Sequence, residues 1–166
     1  MAAARFRLEP ATERDVPLIL RFIKELAAYE KLAGEVVATE DTLRTSLFGP
    51  RPAAEAVIAY AGGEPAGFAV YFQTFSTFLG RPGLYLEDLY VTPAWREHGI
   101  GRLLLACVAR VAVDRGYGRL EWSVLDWNEL ALGVYRKLGA RPMDEWTVHR
   151  LTGDALRRLA DSVPPS

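Results

Sequence analysis

One short segment of the 166-residue chain has residue types and spacing suited to chemistry at a phosphate: Arg96-Glu97-His98-Gly99-Ile100-Gly101, with Arg102 just beyond it. A strand pattern ends at Val91-Thr92-Pro93, and a helical pattern begins near Gly99. The glycines at 99 and 101 remove side chains where a ligand must approach the backbone, and the first amides of the helix point unpaired into that space. Free amides and the helix dipole together form an anion site suited to a pyrophosphate. Arg96 adds a charge that can pair with phosphate oxygens. Two glycines alone also fit an ordinary loop before a core helix. A dinucleotide-binding turn is a sharper competitor, because Glu121 follows Gly101 by about 20 residues, near the position that reads a ribose. That reading fails at Leu104, where a third glycine belongs. It also needs the glycines directly after the strand, whereas Pro93–His98 intervenes.

The elements that must position this turn follow from periodicity. Arg5 to Pro10 alternates as a short strand. Val16, Ile19, Leu20, Ile23, Leu26 and Ala27 form one helical stripe, with Thr12 and Asp15 as a capping box, Pro17 in the first turn and Gly34 beyond the end. A shorter helix, which Thr39 can cap, runs from Thr39 to Phe48 and is broken by Gly49-Pro50-Arg51-Pro52. Ala56–Ala61, Ala66–Phe75 and Leu84–Val91 read as strands, the first two joined by the tight turn Gly62-Gly63-Glu64-Pro65. The pattern then changes to a helix from Ile100 to Gly116, a strand Arg119–Leu125 and a helix Asn128–Leu138 stopped by Gly139. A last strand is expected over Glu145–Leu151, followed by a terminal helix Asp154–Ala160. Hairpins first and βαβ units later predict an α+β fold, with a mixed, mostly antiparallel sheet flanked by helices. No linker or repeat divides the chain, so a single domain over 1–166 is expected.

Composition narrows the classes. A single cysteine, Cys107, excludes an internal disulfide framework, and His98 and His149 lack metal-ligand spacing, so no metal is expected. The net charge is −1 and no basic run marks a nucleic-acid surface. No apolar stretch reaches a membrane span, and the start of the chain lacks a secretory signal, which predicts a cytoplasmic protein.

With the turn stand three further segments: Glu25-Leu26-Ala27-x-Tyr29-Glu30-Lys31-Leu32, Tyr85-Leu86-Glu87-Asp88-Leu89-Tyr90-Val91, and Leu125-Asp126-Trp127-Asn128. Together they resemble the GNAT acetyltransferase superfamily, with its Arg/Gln-x-x-Gly-x-Gly/Ala signature, and within it the diamine (spermidine/spermine) and thialysine branch. The resemblance covers nearly the whole chain and implies acetyl-CoA as co-substrate and a small-molecule amine as acceptor. It implies that Leu89, Tyr90 and Val91 hold the pantetheine arm through their backbone. His98 to Arg102 would cradle the pyrophosphate, and Asn128 with the following turn would touch the coenzyme. It places acceptor contacts at Tyr29, Glu30, Glu87 and the segment Glu121-Trp122-Ser123. It also implies a homodimer with the acceptor site near the interface. His98 is expected to be loop filler more than a phosphate ligand, and Glu121 fits a surface charge equally well. After Gly139 the chain departs from the branch. Arg141–Trp146 is shorter than its counterpart, so the acidic contact there is Asp144, Glu145 or neither.

Amine acetylation must move two protons. An alkyl ammonium has a pKa of about 10.4, so presenting the neutral amine at pH 7 costs roughly 4–5 kcal/mol. A carboxylate, directly or through water, can take that proton, and a hydroxyl with a pKa near 10 can protonate the departing thiolate. Asn128, Ala131 and Tyr135 share one helix face, and the resemblance places the proton-donating tyrosine at Tyr135. Glu87 is the candidate base or amine-binding group: an unpaired carboxylate on an apolar strand is costly, which a functional role or a satisfied salt bridge would each explain, and the resemblance implies substrate contact. Asp88 belongs on the other side of the sheet unless a bulge intervenes. Cys107 lies on an inward stripe, so direct attack by the amine is expected rather than an acetyl-cysteine route. Two competing readings are a catalytically silent CoA-binding module and a nicotinamide-dinucleotide-binding enzyme.

Overall fold

The computed structural model describes residues 6–165. They form two compact units, Met1–Leu125 and Asp126–Ser166. Arg5, expected to open the first strand, lies outside the described residues.

The first unit is a five-stranded sheet in the order β1-β2-β3-β4-β5. The strands are β1 Phe6–Pro10, β2 Glu55–Ala61, β3 Glu64–Ser76, β4 Arg81–Val91 and β5 Leu120–Trp122. The first four pair antiparallel, and β5 joins β4 in parallel. Helices α1 (Val16–Tyr29), α2 (Glu40–Phe48) and α3 (Ile100–Asp114) flank this sheet. The mixed, mostly antiparallel α+β fold expected from the sequence is therefore present.

Both caps expected near the N-terminus form. The Thr12 amide donates to the Asp15 carboxylate at 2.7 Å and holds a 3-10 turn, Glu13–Asp15, that leads into α1. At α2, Thr42 N–H donates to Thr39 Oγ1 (3.1 Å) and Thr39 N–H donates to Thr42 Oγ1 (2.9 Å), which satisfies two of the orphan amides. The apolar stripe of α1 buries Ile19 and Phe22 against Ala56, Ile58, Phe68, Val70 and Tyr90. Phe22 packs 5.4 Å from the Phe68 ring and 5.7 Å from the Tyr90 ring. The alternate residues of the same strands, among them Val57, Ala59, Ala69, Leu84 and Leu86, are also buried, and α3 packs on β2, β3 and β4 with Leu104 and Val108 fully buried. Period-2 strands with both faces covered read as near-continuous apolar runs, as β2 does.

The fifth strand is shorter than the expected Arg119–Leu125. Its pairing with β4 runs from Leu84↔Leu120 to Leu86↔Trp122 and stops where β4 becomes irregular. In the second unit, α4 (Glu129–Lys137) and α5 (Gly153–Ala160) form as expected. The strand expected over Glu145–Leu151 does not. Met143–Trp146 closes a turn through Trp146 N–H to the Met143 carbonyl (3.1 Å), and Trp146 and Val148 remain 75% and 84% exposed. An alternating pattern becomes a strand only where a sheet edge pairs with it, and none of the described strands does.

Candidate active site

The glycine turn is built as the sequence requires. Gly99 is the N-cap of α3 at φ 85°, a left-handed conformation that glycine adopts without strain. The first helical bond runs from Leu103 N–H to the Gly99 carbonyl at 3.0 Å, which leaves the amides of Ile100, Gly101 and Arg102 ahead of the ladder. A Cβ at Gly99 would meet nothing within 4 Å, and one at Gly101 only Val91 Cγ2 at 3.7 Å. The space before these amides is open. Glu97 also adopts a left-handed φ of 64°, so the turn holds backbone strain of the kind that collects at ligand sites. His98 is exposed; its Nδ1–H donates to the Arg96 carbonyl at 2.7 Å, and the ring packs edge-on against Trp95. The Arg96 guanidinium lies over the Tyr29 ring (4.9 Å), and its Nε donates to the Val91 carbonyl (3.1 Å).

Beyond Leu86, β4 has no pairing with β5, so one edge of the backbone from Glu87 through Leu89, Tyr90 and Val91 is left without a strand partner on that side. Such an edge offers amides and carbonyls to an extended chain, as in strand addition.

The opposite register of β4 produces the acidic part of the site. Val70 pairs with Asp88, but the next residue, Tyr71, pairs with Leu86. Glu87 is thus the extra residue of a β-bulge. Directly opposed residues share a face, so Tyr85, Asp88 and Tyr90 stand with Phe72, Val70 and Phe68 on the α1 side. Glu87, two residues from Tyr85, stands there as well. Asp88 is partly buried, and its pKa is pushed up to about 6 by burial first and then by the Glu87 and Glu30 carboxylates. Burial also raises Glu30, at the end of α1. Sequence reasoning missed Asp88 because the bulge that turns it inward is a property of pairing, although the Glu-Asp doublet on an apolar strand is a visible signal. Ser123 follows β5, and its hydroxyl lies 2.5 Å from that of Tyr85. Glu121 forms an ion pair with Arg119 at 3.0 Å, and Trp122 is half-buried.

In the second unit, Asn128 caps α4 by accepting from Ala131 N–H at 3.3 Å. Tyr135 lies on the same face of that helix, close to its C-terminus. Asp144 and Glu145 are exposed. Cys107 is half-buried in the first unit, and burial pushes its thiol pKa up, away from thiolate chemistry. Among the described residues no group of three or more His, Cys, Asp or Glu is arranged to hold a metal, and no helix is long and apolar enough to cross a membrane.

A family model described as "Acetyltransferase (GNAT) family" matches residues 23–140. The chain belongs to the GNAT acetyltransferase family. As a GNAT protein it is an acetyl-CoA-dependent N-acetyltransferase. Among its relatives, the thialysine N-epsilon-acetyltransferase of Bos taurus is 42% identical over 164 residues, covering 92% of this chain and 96% of that protein. The L-ornithine N5-acetyltransferase NATA1 of Arabidopsis thaliana is 32% identical, covering 92% and 87%. A solved integron cassette protein from the mobile metagenome of V. cholerae superposes with a TM-score of 0.77 at 26% identity, covering 95% of this chain and 98% of that one. The mostly antiparallel sheet flanked by helices is thus the GNAT fold.

Proposed function

We propose that this GNAT protein acetylates the terminal primary amine of a small cationic acceptor: a lysine-like amino acid, a diamine or a polyamine. The observation that carries the acceptor class is the gathering of Glu30, Glu87 and Asp88 at the α1 side of β4, with Asp88 raised to about 6. Three neighbouring carboxylates attract an alkyl ammonium and lower the cost of bringing it out of water. The relatives named for thialysine and for L-ornithine acetylation support an amino acid bearing a side-chain amine.

Acetyl-CoA supplies an acetyl thioester. The amides of Ile100, Gly101 and Arg102 would hold its pyrophosphate, and the open β4 edge from Leu89 to Val91 its pantetheine. Asn128 and Ala131 would add contacts from α4. Tyr29, Glu30 and the Glu121–Ser123 segment would orient the acceptor. Asp88 and Glu87, directly or through one water, take the ammonium proton; a carboxylate near 6 is a better acceptor at neutral pH than one near 4. The freed amine forms the new C–N bond as the C–S bond breaks. Tyr135 holds its phenolic proton for the departing sulfur. We further propose that both compact units work as one domain, since the family match over residues 23–140 runs from the first unit into the second, and that the chain acts as a homodimer, which light scattering of the purified protein would test.

The deciding experiment measures free CoA release from acetyl-CoA against thialysine, lysine, ornithine, spermidine and simple monoamines. Release with the diamino acids or polyamines and none with uncharged acceptors is the expected result. Acetyl-CoA binding without release on any amine would leave a silent CoA-binding module, and binding of NAD(P) but not CoA would sink the reading altogether.

A further inference from the structure

The Arg96 side chain leaves the donor turn in which its backbone takes part. Its carbonyl accepts from His98, and Glu97 and Gly99 follow in left-handed conformations. Its guanidinium, however, reaches the α1 side of the sheet. The Nε–H is occupied by the Val91 carbonyl at the end of β4, and Cζ lies 4.9 Å from the Tyr29 ring centroid and 5.8 Å from that of Tyr90. Tyr90 is buried, belongs to the core beneath α1, and donates its hydroxyl to Glu25 of that helix at 2.9 Å. Tyr29 is the last residue of α1 and precedes Glu30, whose carboxylate is near enough to raise Asp88. A guanidinium over two aromatic faces is held by their quadrupoles, and its planar shape lets it stack where an ammonium could not. The donation from Nε fixes the direction from which it does so.

We propose that Arg96 is a positioning residue that couples the two ligand sites, anchoring the donor turn on Tyr29 at the acceptor end of α1. Acetyl-CoA binding, which settles the turn, then settles Tyr29, and an acceptor that settles Tyr29 favours the turn; linkage makes the coupling equal in both directions. The inference rests on the acetyltransferase reading of the two sites.

The test is a cycle of acetyl-CoA dissociation constants, measured by calorimetry on the wild-type chain, Arg96→Gln, Tyr29→Leu and the double variant, so that no acceptor is needed. Tyr29 is no part of the glycine turn, yet Tyr29→Leu should raise the acetyl-CoA Kd by about two- to thirty-fold, the span of one cation–π contact from exposed to desolvated. In the Arg96→Gln background the same change should have no further effect, and Tyr29→Phe, which keeps the ring, should bind as the wild type does. A contact that only stabilises the fold would lower the melting temperature and leave the four affinities additive. That outcome, or a Tyr29→Leu chain that binds acetyl-CoA as tightly as the wild type, overturns the proposal. A wild-type chain that binds no acetyl-CoA would instead remove the acetyltransferase reading and the coupling with it.

Discussion

Glu87 and Asp88, adjacent in the chain, stand on the same face of β4. Neighbours in a regular strand alternate, but the register shift between Val70 and Tyr71 leaves Glu87 as a bulged residue and brings Asp88 round to join it. Asp88 is partly buried, and burial first, then the nearby Glu87 and Glu30 carboxylates, drive its pKa up to about 6.

A stability dependence on pH follows for Asp88. Its folded value lies above the ordinary value of about 3.9, so the folded chain binds this proton more tightly than the unfolded chain does. The resulting stabilisation is complete below the ordinary value and is lost as pH rises through about 6. Asp88→Asn should therefore be more stable than the wild type at pH 8, by up to about 3 kcal/mol, and equal to it near pH 3. Its kcat/KM for the amine should also lose any acidic limb near pH 6. Denaturant melts that coincide at pH 8 would show that the carboxylate is not destabilised by its surroundings.

Much of this arrangement was open to sequence reasoning because its determinants are local. The α1 stripe, the Thr39 cap, the tight turn before β3 and the glycines at the start of α3 each depend on residues within a few positions of one another. What escaped depends on distant pairing. The bulge at Glu87 is set by the register of β3, β5 ends early because β4 turns irregular after Leu86, and the alternation over Glu145–Leu151 finds no partner strand. The direction of the Arg96 side chain depends on aromatic rings that the fold brings in from α1 and β4.

Gly101→Ala separates folding from binding at the donor turn. The new methyl would meet Val91 Cγ2 at 3.7 Å, an ordinary contact, and a helical alanine is favoured over glycine. Thermal stability should hold or rise slightly. The methyl would stand where a pyrophosphate approaches the amides, so acetyl-CoA affinity should fall about tenfold, equivalent to roughly 1.4 kcal/mol. Unchanged affinity in calorimetry would place the coenzyme elsewhere.

Glu55 should show a pH dependence opposite to that of Asp88. Arg115 donates to both of its oxygens at 2.8 Å and holds its pKa below the usual carboxylate range. This contribution is present above the ordinary glutamate value and is lost as pH falls through the folded value. Both side chains are well exposed, so screening limits it to under about 1 kcal/mol. Glu55→Gln should cost that much at pH 7 and progressively less as the pH falls through the folded value, read from urea midpoints at pH 7 and pH 3. A cost undiminished at pH 3 would mean that packing rather than charge links β2 to the end of α3.

Tyr135→Phe tests the proton donor on α4. The ring stays and only the hydroxyl is lost, so acetyl-CoA affinity and the melting temperature should change little. Loss of a general acid typically lowers turnover by about 100- to 10,000-fold, and the fall should appear in kcat rather than in the acceptor KM. A donor thioester with a better leaving group than CoA needs less protonation of the sulfur, so the deficit should shrink with an activated acetyl thioester such as that of an aromatic thiol. If kcat and acetyl-CoA affinity instead fell together, with no relief from the activated donor, Tyr135 would be a packing residue of its helix and the proton would have to come from solvent.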